Sequence, residues 1–192
     1  MSTLRKRIGG LLFRHGLTSL AYAGKLHPNA RPHRHGIELL SNVPYLPDGD
    51  PAHLLDIYQP RRLPAELHGQ SATYGPPYPV ALYIHGGAFR ILSKDTHWVF
   101  GLALARRGML VFNVNYRLAP RHPFPAALDD LSHALRFVVT EARRLGGDPS
   151  RLILAGESAG ANLATALALS TVVRSEAAFA RRAYDLGCVP RV

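Results

Sequence analysis

The chain has 192 residues, enough for one domain with a real core, and its 47% hydrophobic content is ordinary for a globular protein. Its formal charge of +10 comes mostly from arginines scattered in small groups such as Arg106-Arg107, Arg143-Arg144 and Arg181-Arg182. That scatter argues against a nucleic-acid binder and leaves only weak attraction to anionic membrane surfaces open; a lone cysteine, Cys188, excludes an intrachain disulfide, and no apolar run reaches membrane-spanning length.

Residues 1–25 read as a basic amphipathic helix, with Leu4, Ile8, Leu11 and Leu12 on one face and Ser2 or Thr3 as cap. A lid over an apolar site, a helix packed on the domain for stability and a membrane-surface helix all fit that amphipathicity. The apolar run is cut by Arg14 and His15 and has no small-residue cleavage site, so it does not read as a signal peptide, and a cytoplasmic location is expected. His27, His33 and His35 follow in a His-, Pro- and Arg-rich stretch. No carboxylate or cysteine joins them at ligand spacing, so this stretch is expected to be a flexible connector and no metal is expected.

Residues 36–43 and 54–58 read as two strands that pair antiparallel at a sheet edge, separated by a turn rich in Pro, Asp and Gly. Residues 61–79 are a loop. Residues 80–84 are apolar throughout, as in a strand buried on both faces, and run straight into His85-Gly86-Gly87-Ala88-Phe89. Glycines after a buried strand leave backbone N–H groups unshielded. A phosphate loop would need a lysine followed by Ser or Thr, and Lys94-Asp95-Thr96 comes too late and in the wrong order. The other readings are a plain strand-end turn and donation of N–H groups to an oxyanion; the G-x-S-x-G at 156–160 favours the oxyanion use, with His85 holding the loop in place.

Ser93 or Asp95 is placed to cap a helix running to Arg107, which Gly108 ends. Residues 109–115 form a fourth apolar strand, and Tyr116-Arg117-Leu118-Ala119-Pro120 a bend. From Pro125 a periodic helix buries Leu128, Leu131, Leu135 and Val138. Asp129 and Asp130 look like a carboxylate pair, but carboxylates near a helix N-terminus are explained more simply by the helix dipole. Gly146-Gly147-Asp148-Pro149 closes that helix.

Residues 151–163, RLILAGESAGANL, organise the rest: a short apolar strand at 152–155, a tight turn, and the start of a helix of small residues. Gly156-Glu157-Ser158-Ala159-Gly160 fits G-x-S-x-G. Such a turn thrusts Ser158 clear of the backbone, admits no side chain at Gly156 or Gly160, and aims the Ala159 N–H at a developing oxyanion. A helix to about Arg174 and a shorter one over 176–186 complete the chain. Alternating strands and helices imply an α/β fold with a mostly parallel sheet covered on both faces.

The motifs HGGAF at 85–89, YRLAP at 116–120, FPAA at 124–127, GDP at 147–149 and GESAG at 156–160 occur in one order. Together they resemble the hormone-sensitive-lipase-like carboxylesterase and lipase branch of the α/β-hydrolases, over about 36–186. The resemblance implies a partial α/β-hydrolase domain at 36–192 behind an N-terminal arm, 1–35, in the place of the family's cap. It implies Ser158 as nucleophile and the N–H groups of Gly87, Ala88 and Ala159 as oxyanion donors, with Gly86 shaping the loop. No cofactor is implied, and the partner is a small ester substrate.

The departures are specific. Ala88 and Ala161 stand where the family usually has glycine, Asn115 where it has Asp before Tyr116, and Arg121 where it has Glu after Pro120. In this family a catalytic acid and then a histidine follow the nucleophile on later strands. Only 34 residues follow Ser158, none of them a histidine, and Glu176 and Asp185 fall in a helix. The chain is therefore expected to be truncated before its acid and base, with strand 152–155 left as an open edge prone to self-association. Two functions follow: a carboxylic ester hydrolase that takes its base and acid from outside this chain, or a non-catalytic fragment that binds a partner or an apolar ligand. The upstream histidines His97, His122 and His133 have no spacing that suggests a substitute base.

Overall fold

The computed structural model describes residues 16, 18–61 and 76–192. Five strands, β1 (Ile37–Pro44), β2 (Leu54–Pro60), β3 (Tyr78–Ile84), β4 (Leu110–Val114) and β5 (Gly147–Gly156), form one sheet in the order β1-β2-β4-β3-β5. β1 pairs antiparallel with β2 and β2 antiparallel with β4, while β3 runs parallel to both β4 and β5. The expected antiparallel edge and parallel centre are both present.

Continuous apolar sequence makes β3 and β4 central, because both of their faces are covered. Val80, Leu82 and Ile84, with Leu110, Phe112 and Val114, point into the larger core beneath α3 (Ala126–Arg144), α4 (Ala159–Val172) and α5 (Ala178–Tyr184). Ala81, Tyr83 and Val111 point the other way, into a smaller core beneath α2 (Trp98–Ala105). Gly101 in α2 makes this second layer possible, since a Cβ there would lie 2.5 Å from the Tyr58 ring.

Several boundaries differ from the sequence expectation for local reasons. α2 starts at Trp98, not near Ser93, because the Ser93 and Thr96 hydroxyls satisfy a turn of their own. The Ser93 N–H donates to Thr96 Oγ1 at 3.1 Å and the Asp95 N–H to Ser93 Oγ at 3.2 Å. β5 starts at Gly147, not after Pro149. Gly147 and Asp148 already pair with Tyr78 and Pro79, and the register then jumps to Val80 opposite Leu152. The extra residues form a bulge stapled by Asp148 Oδ1, which accepts from both the N–H and the hydroxyl of Ser150.

The His- and Pro-rich end of the arm is not a loose connector. It forms two short 3₁₀ turns, Pro28–Ala30 and Pro32–His35, in which His27 Nδ1 accepts the Asn29 N–H and His35 Nε2 meets the Asn29 carbonyl at 2.9 Å. Of the arm itself, residues 18–25 are helical (α1), and the Trp98 indole donates to the Ala21 carbonyl at 3.0 Å, tying α1 to the start of α2. The apolar face built on Leu4, Ile8, Leu11 and Leu12 lies outside the described residues. No helix among the described residues is long and apolar enough to cross a membrane.

The outer edge of β5 is not bare. Arg191 bridges Ile153 in parallel, accepting the Leu154 N–H at 2.7 Å and donating to the Leu152 carbonyl at 2.9 Å. Cys188 is half-buried, and burial pushes its thiol pKa up, away from the reactive thiolate.

Candidate active site

The C-terminal ends of the parallel strands carry the site, as the crossover topology favours. β5 delivers Gly156 and Glu157, and α4 opens at Ala159. Between them Ser158 is exposed, with φ 53° and ψ −117°, a conformation costly for a residue with a side chain. The two glycines are steric requirements. A Cβ on Gly156 would lie 2.6 Å from the Gly160 carbonyl carbon, and one on Gly160 would lie 2.1 Å from the Ile84 carbonyl oxygen. β3 and the first turn of α4 thus touch through backbone alone.

β3 delivers the facing loop. A Cβ on Gly86 would fall within 2.6 Å of the Glu157 carboxyl carbon, so the loop and the elbow are in direct contact. The loop's carbonyls are tied down one after another. The Tyr116 hydroxyl donates to the His85 carbonyl at 2.8 Å. His85 Nδ1–H donates to the Gly86 carbonyl at 2.7 Å. The N–H groups of Arg90 and Ile91 donate to the Gly87 carbonyl at 2.9 and 3.0 Å, and the Ala119 N–H donates to the Phe89 carbonyl at 2.8 Å. In a planar trans peptide the N–H points opposite the C=O before it. Fixing the Gly86 and Gly87 carbonyls therefore turns the Gly87 and Ala88 N–H groups away from those contacts.

Gly87 has φ 117°, and a Cβ on it would meet the Ile91 carbonyl oxygen at 2.0 Å. Ala88 and Phe89 also have positive φ, 52° and 62°. Alanine at position 88 thus keeps the backbone donor but carries a left-handed conformation that costs on the order of 1 kcal/mol.

His85 is buried and stacks on Tyr116, with ring centroids 4.4 Å apart. Burial pushes its pKa down to about 4, with the Gly86 carbonyl acting in the opposite direction and His97 adding to the depression. A neutral, stacked imidazole bonded to its own loop fits a brace. Burial likewise raises the Tyr116 hydroxyl, keeping it a donor.

Two further groups support this frame, and the sequence reading missed both. Glu157 Oε1 sits 3.0 Å from His97 Nε2. His97 Nδ1 lies 2.9 Å from Thr96 Oγ1 and 3.1 Å from the Ser93 carbonyl, so both of its ring nitrogens are engaged away from Ser158. Asp130, fully buried, accepts the Arg117 N–H at 2.8 Å and its Nε at 2.8 Å, and faces His53 Nε2 at 3.2 Å. Asp129 pairs with Arg182 of α5 at 2.8 Å. The aspartates are thus neither a catalytic pair nor simple helix-dipole partners. They clamp the YRLAP bend and α5 onto α3. His133, beside Arg182 and these aspartates, has its pKa lowered mainly by burial.

Asn115 fills the place where Asp is usual. Its Oδ1 accepts the Lys94 N–H at 2.8 Å and its Nδ2 reaches the Pro51 carbonyl at 3.3 Å. Lys94 is itself buried against Asp56 at 2.8 Å, so the β3–α2 loop is anchored to β2. Between the facing loop and α4 lies a mostly apolar cavity of about 420 Å³, bounded by Ala88, Phe89, Phe124, Leu128, Asn162 and Leu163 among others. Among the described residues no three or more His, Cys, Asp or Glu side chains gather where a metal would be held.

A family model for the alpha/beta hydrolase fold matches residues 81–183. The chain belongs to the α/β-hydrolase family. Its relatives place it in the hormone-sensitive-lipase-like esterase branch. It is 47% identical over 91 residues to carboxylesterase NlhH of Mycobacterium tuberculosis, covering 47% of this chain and 28% of that protein. It is 43% identical over 101 residues to ethyl acetate hydrolase of Pseudomonas putida, covering 52% of this chain and 32% of that protein. Among solved structures, esterase LipW of Mycobacterium marinum superposes with a TM-score of 0.66 at 30% identity, over 95% of this chain and 49% of that one. A bacterial heroin esterase gives 0.64 at 31%, over 93% and 48%. The matched stretches amount to about a third of the curated relatives' length, and the chain spans about half of these solved ones.

Proposed function

We propose that this chain carries the nucleophile and oxyanion-hole part of a carboxylic ester hydrolase. The observation that carries the reading is the contact of two strained backbone turns: the exposed Ser158 on the β5–α4 elbow, and the loop 85–89 with its carbonyls fixed from behind. Ser158 Oγ bonds to the ester carbonyl carbon while its proton passes to a base. Negative charge develops on the carbonyl oxygen, where the N–H groups of Gly87, Ala88 and Ala159 receive it. The C–O bond to the alcohol then breaks with protonation of the leaving oxygen, and water hydrolyses the acyl-serine. His85 and Gly86 position the loop, and Gly156 and Gly160 permit the elbow. The arm is assigned to the cap position, a reading supported for its described residues by the tie between Ala21 and Trp98.

A serine without its base is a weak nucleophile. His97 is committed to Glu157 and to its own turn, and residues 159–192 contain no histidine. The reading therefore requires a base and an acid recruited from upstream of the elbow or from a second copy of the chain. The same observation favours a second reading, a non-catalytic member that binds an apolar ligand in the 420 Å³ cavity.

The test is hydrolysis of p-nitrophenyl acetate and butyrate by the purified chain beside Ser158→Ala, with fluorophosphonate labelling of both. Turnover and labelling that disappear in the variant support the hydrolase. A folded protein that neither turns over ester nor reacts with the phosphonate supports the binding reading.

A further inference from the structure

A second and larger cavity, about 860 Å³, adjoins the first, with His85 and Tyr116 in its lining. Its character is cationic. Arg90 and Arg121 are both exposed on its lining, and neither guanidinium has an ion-pair partner among the described residues. Arg117, also in the wall, is already neutralised by Asp129 and Asp130. The one acidic residue there, Asp50, spends Oδ1 on the Ala52 N–H at 2.8 Å. One backbone bond, from the Ala119 N–H to the Phe89 carbonyl, brings the loop carrying Arg90 against the bend carrying Arg121, and both arginines line the one cavity. Arg90, Arg117, Ala119 and His122 line both this cavity and the apolar one, so the two share a wall.

We propose that this cavity binds the carboxylate of an anionic substrate, so that the preferred ester carries a carboxylate remote from the scissile bond, as in a half-ester of a dicarboxylic acid. The placing of the scissile bond rests on the ester-hydrolase reading; the anion site does not. Guanidinium forks match carboxylates bidentately and are lightly hydrated, so Arg90 and Arg121 suit this ligand better than lysines would. The apolar part of the ligand lies across the shared wall, against Ala88 and Phe89.

Calorimetric titration of the full chain with 4-phenylbutyrate and with its neutral isostere 4-phenylbutyramide tests the site. Mono-p-nitrophenyl glutarate is compared with p-nitrophenyl butyrate in parallel. The carboxylate is expected to bind roughly 10- to 100-fold tighter than the amide, the range of a charge-assisted hydrogen bond. Arg90→Gln and Arg121→Gln should each remove most of that preference. Arg106→Gln, at the far end of α2, should leave it intact. Equal binding of acid and amide, or equal loss in all three variants, overturns the site and reduces the effect to net positive charge. A carboxylate preference with no turnover of either ester upholds the anion site and removes the hydrolase reading. Turnover of both esters with no preference does the reverse.

Discussion

Glu157 Oε1 meets His97 Nε2 at 3.0 Å, so the residue just before the candidate nucleophile is clasped to the residue that opens α2. The pair joins elements 60 residues apart in sequence and lies over Gly86, where no side chain fits. His97 is nearly buried, but the Glu157 side chain is 42% exposed, so solvent screens the attraction. A double-mutant cycle of Glu157→Gln and His97→Gln should give a measurable coupling of roughly 0.5 to 1 kcal/mol in urea unfolding. A coupling indistinguishable from zero would mean that the contact follows from the packing and does not hold the elbow.

The elbow's dependence on glycine gives a sharper test. A Cβ at Gly160 would sit 2.1 Å from a main-chain oxygen of β3, which cannot move without moving the strand. Gly160→Ala should therefore cost about 3 kcal/mol of stability, the upper part of the overpacking range. Gly49, with φ 75° and no atom near its missing Cβ, is the control, and Gly49→Ala should cost about 1 kcal/mol from conformation alone. Similar losses at both positions, read from urea midpoints at constant slope, would remove the steric account of the elbow.

The elbow and the loop were legible in sequence because their glycines answer to local backbone geometry, and β3 and β4 because strands covered on both faces leave an unbroken apolar run. The supporting contacts were not legible, since their partners meet only through the fold. Nothing near Asp130 announces Arg117, and nothing near Glu157 announces His97. The start of α2 was misplaced because Ser93 and Thr96 cap a turn as readily as a helix. The β5 boundary was misplaced because Gly-Asp-Pro reads as a turn, although here it pairs and then bulges. The open edge expected at 152–155 is partly closed by Arg191, a pairing invisible to any local pattern.

Asp130 separates a buried clamp from a surface charge. It is fully buried, and it holds both the main chain and the guanidinium of Arg117, whereas the Asp129 side chain is 37% exposed. Asp130→Asn should cost about 3 kcal/mol, because it leaves Arg117 and His53 facing a neutral amide. Asp129→Asn should cost about 1 kcal/mol or less. Comparable losses would mean that the aspartates act through the helix terminus, not through the clamp.

His85 sets a window of acid sensitivity. Its folded pKa, about 4, lies below the ordinary 6.5, so between those values the unfolded chain holds a proton that the native protein excludes. Stability therefore rises with pH through this window: the contribution is fully present above 6.5 and is lost as pH falls toward 4. A shift of this size corresponds to about 3 kcal/mol across the window. The charge would arise in the brace behind Gly86 and Gly87, so the loop should loosen before the sheet unfolds. Urea unfolding of the full chain at pH values spanning the window, beside His85→Gln, measures it. The variant should be less stable near neutrality, having lost the Tyr116 stack, and should show a flatter dependence on pH. Parallel curves for the two proteins would place the acid sensitivity in other groups and leave His85 as packing alone.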